Sequence, residues 1–150
     1  MNTLKVGDQA PLFSLQNQND ETVELATLLK SHQVLVYFYP KALTPGCTAQ
    51  AENLRDHKAE LTELNTVAVG ISPDPVKKLK NFENKKELNF DLLSDEDHAV
   101  ADEFGVWGLK KFMGKEYEGI IRTTFIIDEK GKVERIIDKV KTKDHSNQII

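Results

Sequence analysis

Val34-Leu35-Val36-Tyr37-Phe38-Tyr39, closed by Pro40, is the stretch that decides the fold. Its residues are β-branched, aliphatic or aromatic, with no polar alternation. That pattern belongs to a central strand buried on both faces. Beyond Pro40, residues 47–64 read as one helix, with Ala51, Leu54, Leu61 and Leu64 close to one face and charges between them. Thr66-Val67-Ala68-Val69-Gly70-Ile71 then repeats the buried-strand pattern. Strand, helix and strand of these lengths make a βαβ unit, with parallel strands and a right-handed crossover.

The flanks complete an α/β domain. Upstream, residues 10–15 contain Pro11 and read as an edge strand or an irregular start. A polar turn over 16–21 and the short alternating strand Thr22-Val23-Glu24-Leu25 predict an N-terminal hairpin. Residues 26–30 suit a helical turn. Downstream, Pro75 fits the first turn of a helix with Asp74 as its N-cap and Val76, Leu79 and Phe82 as its buried face. Phe90-Asp91-Leu92-Leu93 is a strand candidate, and Ser94-Asp95-Glu96-Asp97 opens a helix carrying Val100 and Phe104 and ended by Gly105. Residues 108–119 read as a loop. Strands over 123–128 and 133–140 flank the turn Glu129-Lys130-Gly131-Lys132 and are antiparallel. The expected class is α/β: a thioredoxin-like fold, a mixed central sheet flanked by helices, with an N-terminal β-hairpin.

The 150 residues, 39% hydrophobic and 29% charged, suit one domain over 1–150 with one packed core. A net charge of −4 with dispersed Lys and Arg argues against nucleic acid, and Val76-Lys77-Lys78-Leu79-Lys80 reads as a solvated helix face. No apolar run approaches the roughly 18 residues of a membrane span. Met1-Asn2-Thr3-Leu4-Lys5-Val6-Gly7 lacks an apolar leader core, so a cytoplasmic protein is expected, with no membrane partner. The single cysteine rules out an intrachain disulfide and a zinc site built on several thiolates. His32, His57, His98 and His145 match no ligand spacing, His57 and His98 read as surface helix residues, and Asp95, Glu96 and Asp97 read as helix-start charges. No metal and no cofactor are expected.

Chemistry concentrates at Tyr39-Pro40-Lys41-Ala42-Leu43-Thr44-Pro45-Gly46-Cys47-Thr48, between the buried strand and the helix. Reactive groups of open α/β sheets gather at this carboxyl end of the strands. A cysteine at a helix N-terminus meets free N–H groups and the positive end of the dipole, which favours the reactive thiolate. Thr44, three residues earlier, is placed to bring its hydroxyl beside the sulfur. Pro45 and Gly46 permit a tight turn and a close backbone approach, and Pro40 shields the pocket. Tyr39 is expected to approach that pocket and Tyr37 to point to the opposite face, with Trp107 packing at the rim.

The spacing Pro40-x3-Thr44-x2-Cys47 resembles the peroxiredoxin active-site pattern. Residues 34–41, Leu92-Leu93-Ser94-Asp95, Phe104-Gly105-Val106-Trp107-Gly108 and Arg122-Thr123-Thr124-Phe125-Ile126-Ile127-Asp128 are similar to the bacterioferritin comigratory protein (peroxiredoxin Q) subfamily. The resemblance runs from Leu4 to about Asp144 and implies a single AhpC/TSA-type domain. It also implies a peroxidatic Cys47, a sulfur- and peroxide-binding Thr44, a shielding Pro40 and an Arg122 guanidinium near the thiolate, with Gly46 lining the substrate site. The implied activity is thiol-dependent reduction of hydrogen peroxide and organic hydroperoxides in antioxidant defence and redox homeostasis. The implied donor is an external thiol, thioredoxin first, glutaredoxin or glutathione next, and the implied state is a monomer.

Two departures qualify this expectation. Where many relatives carry a resolving cysteine five residues on, this chain has Glu52, natural or substituted, and Ala99-Val100-Ala101-Asp102 supplies none either. Cys47 oxidised to sulfenic acid therefore needs an outside thiol; a Cys47–Cys47 link between copies ranks last. Residues 145–150 read as the start of a final amphipathic helix, expected to be incomplete. The alternative to an enzyme is a peroxide-sensing switch or binding module on the same fold. A disulfide reductase is disfavoured because there is no Cys-x-x-Cys pair.

Overall fold

The computed structural model describes residues 4–149. Met1, Asn2 and Thr3, used above for the leader reading, and Ile150, in the expected final helix, lie outside the described residues. Strand β3 (Gln33–Phe38) and strand β4 (Thr66–Ser72) are the two buried runs, paired in parallel from Gln33↔Thr66 to Phe38↔Ile71. Residues 34–39 are each 0% exposed, which makes this strand the centre of the packing. It is joined by β1 (Ser14–Asn17), β2 (Thr22–Glu24), β5 (Asp91–Ser94), β8 (Thr123–Ile127) and β9 (Val133–Ile137). The seven strands lie in the order β2-β1-β5-β4-β3-β8-β9, parallel across β3, β4 and β5 and antiparallel elsewhere. The N-terminal hairpin and the mixed sheet are thus as expected.

Period 2 sorts the sheet's side chains into two cores. Val34, Val36 and Phe38 face one side, where helices α1 (Leu25–Leu29) and α5 (Ala99–Glu103) pack through Leu25, Leu29, Val100 and Ala101. Leu35, Tyr37 and Tyr39 face the other, toward α2 (Pro45–Asp56), α3 (Lys58–Glu63), α4 (Val76–Lys86) and α6 (His145–Ile149). Tyr37 and Tyr39 are two residues apart and share the Cys47 face, with ring centroids 5.4 Å apart. The expectation that they point to opposite faces is corrected by the strand period itself. Gly70 makes room for Tyr37: a Cβ there would lie 2.7 Å from Tyr37 Cζ and Oη.

Four further expectations change. The helix expected over 47–64 breaks at His57 (φ −112°, ψ 20°) into α2 and α3, and the shift in phase leaves Leu64 51% exposed while Leu61 stays buried. Asp74 does not cap α4, whose N-cap is Pro75; its carboxylate turns inward instead. Residues 108–119 are not a loop but a separate antiparallel hairpin of β6 (Trp107–Phe112) and β7 (Lys115–Ile120). The last strand ends at Ile137 rather than 140. Among the described residues, no helix is long and apolar enough to cross a membrane.

Candidate active site

Cys47 is the third residue of α2, after Pro45 and Gly46, at the carboxyl end of β3. The first N–H groups of a helix have no intrahelical acceptor and present positive charge to the sulfur. Thr44 is the N-cap by backbone conformation, and its carbonyl accepts the Thr48 N–H at 2.8 Å. Cys47 packs against the second core and is 1% exposed.

Arg122, in the junction between β7 and β8, reaches this sulfur. Its Nη2 donates to Cys47 Sγ at 3.2 Å and its Nη1 donates to Gln50 Oε1 at 2.7 Å. One planar guanidinium thus bridges the thiol and a side chain one helical turn further along α2. Gly46 lies against the guanidinium: a Cβ there would be in van der Waals contact with Arg122 Nη2, at 3.4 Å. Pro40 is half-buried just beyond β3.

Thr44 differs in detail from expectation. Its hydroxyl donates to the Lys41 carbonyl at 2.8 Å rather than to the sulfur, so its oxygen lone pairs remain for an incoming donor. The turn carrying it is strained: Leu43 has φ +66°, a left-handed conformation uncommon for leucine.

Three residues that interact with Arg122 were not singled out in sequence. Gln50 is 0% exposed, and its Nε2 has no hydrogen-bond partner among the described residues. Its i+3 spacing from Cys47 is the signal that places both on one helix face. Lys110 of β6 is held below the usual lysine range, chiefly by burial and then by the Arg122 cation, with Cys47 opposing. His145 of α6 is fully buried. Its Nε2 lies 2.9 Å from Thr124 Oγ1 and its Nδ1 lies 2.9 Å from Gln148 Oε1. Burial first, and the Arg122 cation as well, push its imidazole below the usual range against the opposing Gln148 bond.

Trp107 stacks on His98, with centroids 3.8 Å apart, and donates Nε1–H to Glu118. His98 is thus a half-exposed stacking partner and His57 is half-buried. Asp95 accepts the Val100 and Ala101 N–H groups at the start of α5, the helix-start role read for it. Glu52 lies 3.7 Å from Arg55, five residues beyond Cys47.

A buried thiol at a helix N-terminus, bridged by a guanidinium on a thioredoxin-like sheet, is an arrangement suited to sulfur redox chemistry. The AhpC/TSA family profile matches residues 6–136, and the chain belongs to that family. It is 58% identical over 150 residues to the putative peroxiredoxin bcp of Haemophilus influenzae, covering all of this chain and 96% of that protein. It is 53% identical over the same length to peroxiredoxin Bcp of Escherichia coli K12, with the same coverage. Among solved structures it is similar to peroxidoxin BcpB from Mycobacterium tuberculosis, at TM-score 0.86 and 37% identity over 97% of this chain and 93% of that one. It is also similar to the Xanthomonas campestris bacterioferritin comigratory protein, at TM-score 0.84 and 31% identity over 91% and 87% of the two chains. The chain is a peroxiredoxin, a thiol peroxidase of one-cysteine type.

Proposed function

We propose that Cys47 is the peroxidatic nucleophile and that Arg122, Thr44, Pro40 and Gly46 form its substrate site. The contact of Arg122 Nη2 with Cys47 Sγ carries this reading. The thiolate attacks the distal oxygen of ROOH. The S–O bond forms as the O–O bond breaks, the sulfur is oxidised to Cys47–SOH, and the departing RO⁻ takes a proton to leave as ROH. Charge moves from sulfur to the leaving oxygen, so donors already fixed along that line lower the barrier. Arg122 is such a donor. The Thr44 oxygen, its proton committed to Lys41, accepts from the peroxide O–H.

Substrates are hydrogen peroxide and small organic hydroperoxides. The Xanthomonas campestris protein, whose structures bear on alkyl peroxide reduction, supports the second class. Recovery needs an outside thiol, because the chain has one cysteine. The donor thiol attacks Cys47–SOH and releases water, and a second donor thiol then frees Cys47–SH. Thioredoxin, which brings both thiols, is the preferred donor over glutaredoxin or glutathione. The reading comprises a single domain acting as a cytoplasmic monomer.

Peroxide consumption with each donor tests it. Cys47→Ser is expected to abolish consumption, and Arg122→Ala to lower kcat/KM by about 10²–10³. Full activity in Cys47→Ser would end the proposal. The absence of a second thiol favours one competing reading, a peroxide-sensing switch. A single turnover with every donor identifies that switch, whereas steady turnover with thioredoxin identifies the enzyme.

A further inference from the structure

Asp74 follows β4 and is 5% exposed, yet it starts no helix. Its Oδ2 takes two hydrogen bonds, from the Ser72 hydroxyl at 2.9 Å and from the backbone N–H of Ala42 at 2.8 Å. Ser94 Oγ, at the end of β5, donates to the Asp74 carbonyl at 2.7 Å. The carboxylate is therefore held by Ser72 of β4 and the residue's own backbone by Ser94 of β5, and the second carboxylate bond goes to the loop that leads to Cys47. An anionic acceptor binds a backbone N–H more strongly than a neutral one.

Ala42 matters because of its neighbours in the turn. Leu43 stands at φ +66°, which a leucine keeps only where its surroundings hold it. Thr44 is next, tied back across the turn to the Lys41 carbonyl and forward to the Thr48 N–H. The Leu43 turn is thus pinned on its upstream side by Asp74 and on its downstream side by the first turn of α2. Tyr39 is buried in the same core as Ala42 and Cys47. Its hydroxyl is pushed up chiefly by burial, with Ser72 opposing and with Asp74 and Cys47 both adding to the rise.

We propose that Asp74 is a positioning residue for the peroxide reaction: by holding Ala42 it sustains the left-handed turn at Leu43 and so sets Thr44 against Cys47. It does not touch substrate. The inference rests on Cys47 and Thr44 acting as assigned above. A small displacement of a positioning group costs up to about a hundredfold in rate.

The test compares two reactions of the same sulfur in the reduced full chain. One is oxidation of Cys47 by hydrogen peroxide, which needs Thr44 in place. The other is alkylation of Cys47 by iodoacetamide, which does not. Asp74→Ala is expected to slow oxidation about 10–100-fold and alkylation far less. Asp74→Asn, which keeps an acceptor oxygen for Ala42, is expected to recover most of the oxidation rate. Asp74→Ala with Leu43→Gly is expected to recover part of it, because glycine holds φ +66° without strain. An unchanged oxidation rate in folded Asp74→Ala overturns the proposal, and so does an equal loss in both reactions. Should Asp74→Ala not fold, Asp74→Glu replaces it and is read by the same two outcomes. Full peroxidase activity in Cys47→Ser would instead remove the nucleophile assignment, so the two failures are distinct.

Discussion

Gln50 shows how one buried amide can fix the geometry of the proposed catalytic pair. A guanidinium free to rotate would divide its donors among solvent and several acceptors. With Nη1 bonded to Gln50, the plane of Arg122 is fixed and Nη2 faces the sulfur. A hydrogen bond to a charged group contributes about 1.5–3 kcal/mol. Gln50→Leu is therefore expected to slow peroxide oxidation of Cys47 about tenfold, read by stopped flow. Its denaturation midpoint should change little, because loss of the Arg122 bond is offset by removal of the buried Gln50 Nε2 that has no partner among the described residues. An unchanged rate would show that Arg122 needs no such support. Cys47 and Thr44 were legible from a local pattern, since spacing alone places them in one turn. Arg122 was legible only through resemblance, because 75 residues separate it from Cys47 and the sheet brings them together. Gln50 was not legible: within the helical run it reads like any polar residue, and only the packing of α2 shows which face is buried. Asp74 carries the same lesson, being a good cap by type but directed inward by the strand before it.

At the scale of elements, legibility follows burial. β3 and β4 lie under helices on both faces, so their apolar runs announced them. The β6–β7 hairpin pairs only with itself and leaves Leu109 63% and Tyr117 46% exposed. With no face wholly apolar, it has no alternation to read, and the sequence resembles a loop. Its turn, Met113-Gly114, has φ +53° and +80°, the paired positive values of a type I′ turn. Glycine suits that conformation; methionine does not, and at 87% exposure Met113 gains nothing from packing. Met113→Asn supplies the preferred Asn-Gly turn and is expected to stabilise the hairpin by about 1 kcal/mol. Amide hydrogen exchange should show slower exchange across β6 and β7, while the global denaturation midpoint moves little. Unchanged exchange in the hairpin would count against the strain argument. The helix break at His57 was hidden for another reason: helical periodicity continues across it, and only the exposure of Leu64 reveals the change of phase.

The whole molecule is closed by α6, and His145 ties that closure to pH. Gln148 donates Nε2–H to the Lys139 carbonyl, and its Oε1 accepts the Lys141 N–H, so Oε1 faces His145 as an acceptor. His145 Nδ1 therefore carries a proton, and in the neutral imidazole Nε2 accepts from the Thr124 hydroxyl. Thr124 stands in β8 two residues after Arg122, and the Arg122 cation opposes a positive charge on the ring. Burial and this cation depress the folded-state value below the usual 6.5. The unfolded chain thus binds a proton at a higher pH than the folded chain does. Stability is fully present above about 6.5 and is lost as pH falls through the window below it, by at most about 1.4 kcal/mol per pH unit for one proton. His145→Asn keeps an N–H for Gln148 and removes the titration. Denaturant midpoints at several values between pH 7.5 and 5 should fall more steeply for the natural chain than for the variant. Asp95, whose carboxyl is raised by burial, titrates in both proteins and cancels in the difference. Parallel curves would mean that His145 takes up its proton equally in both states, and the buried Thr124–His145 bond would then carry no pH dependence. A steeper fall in the natural chain would make α6 the part of the domain that acid loosens first, on the same sheet face as Cys47.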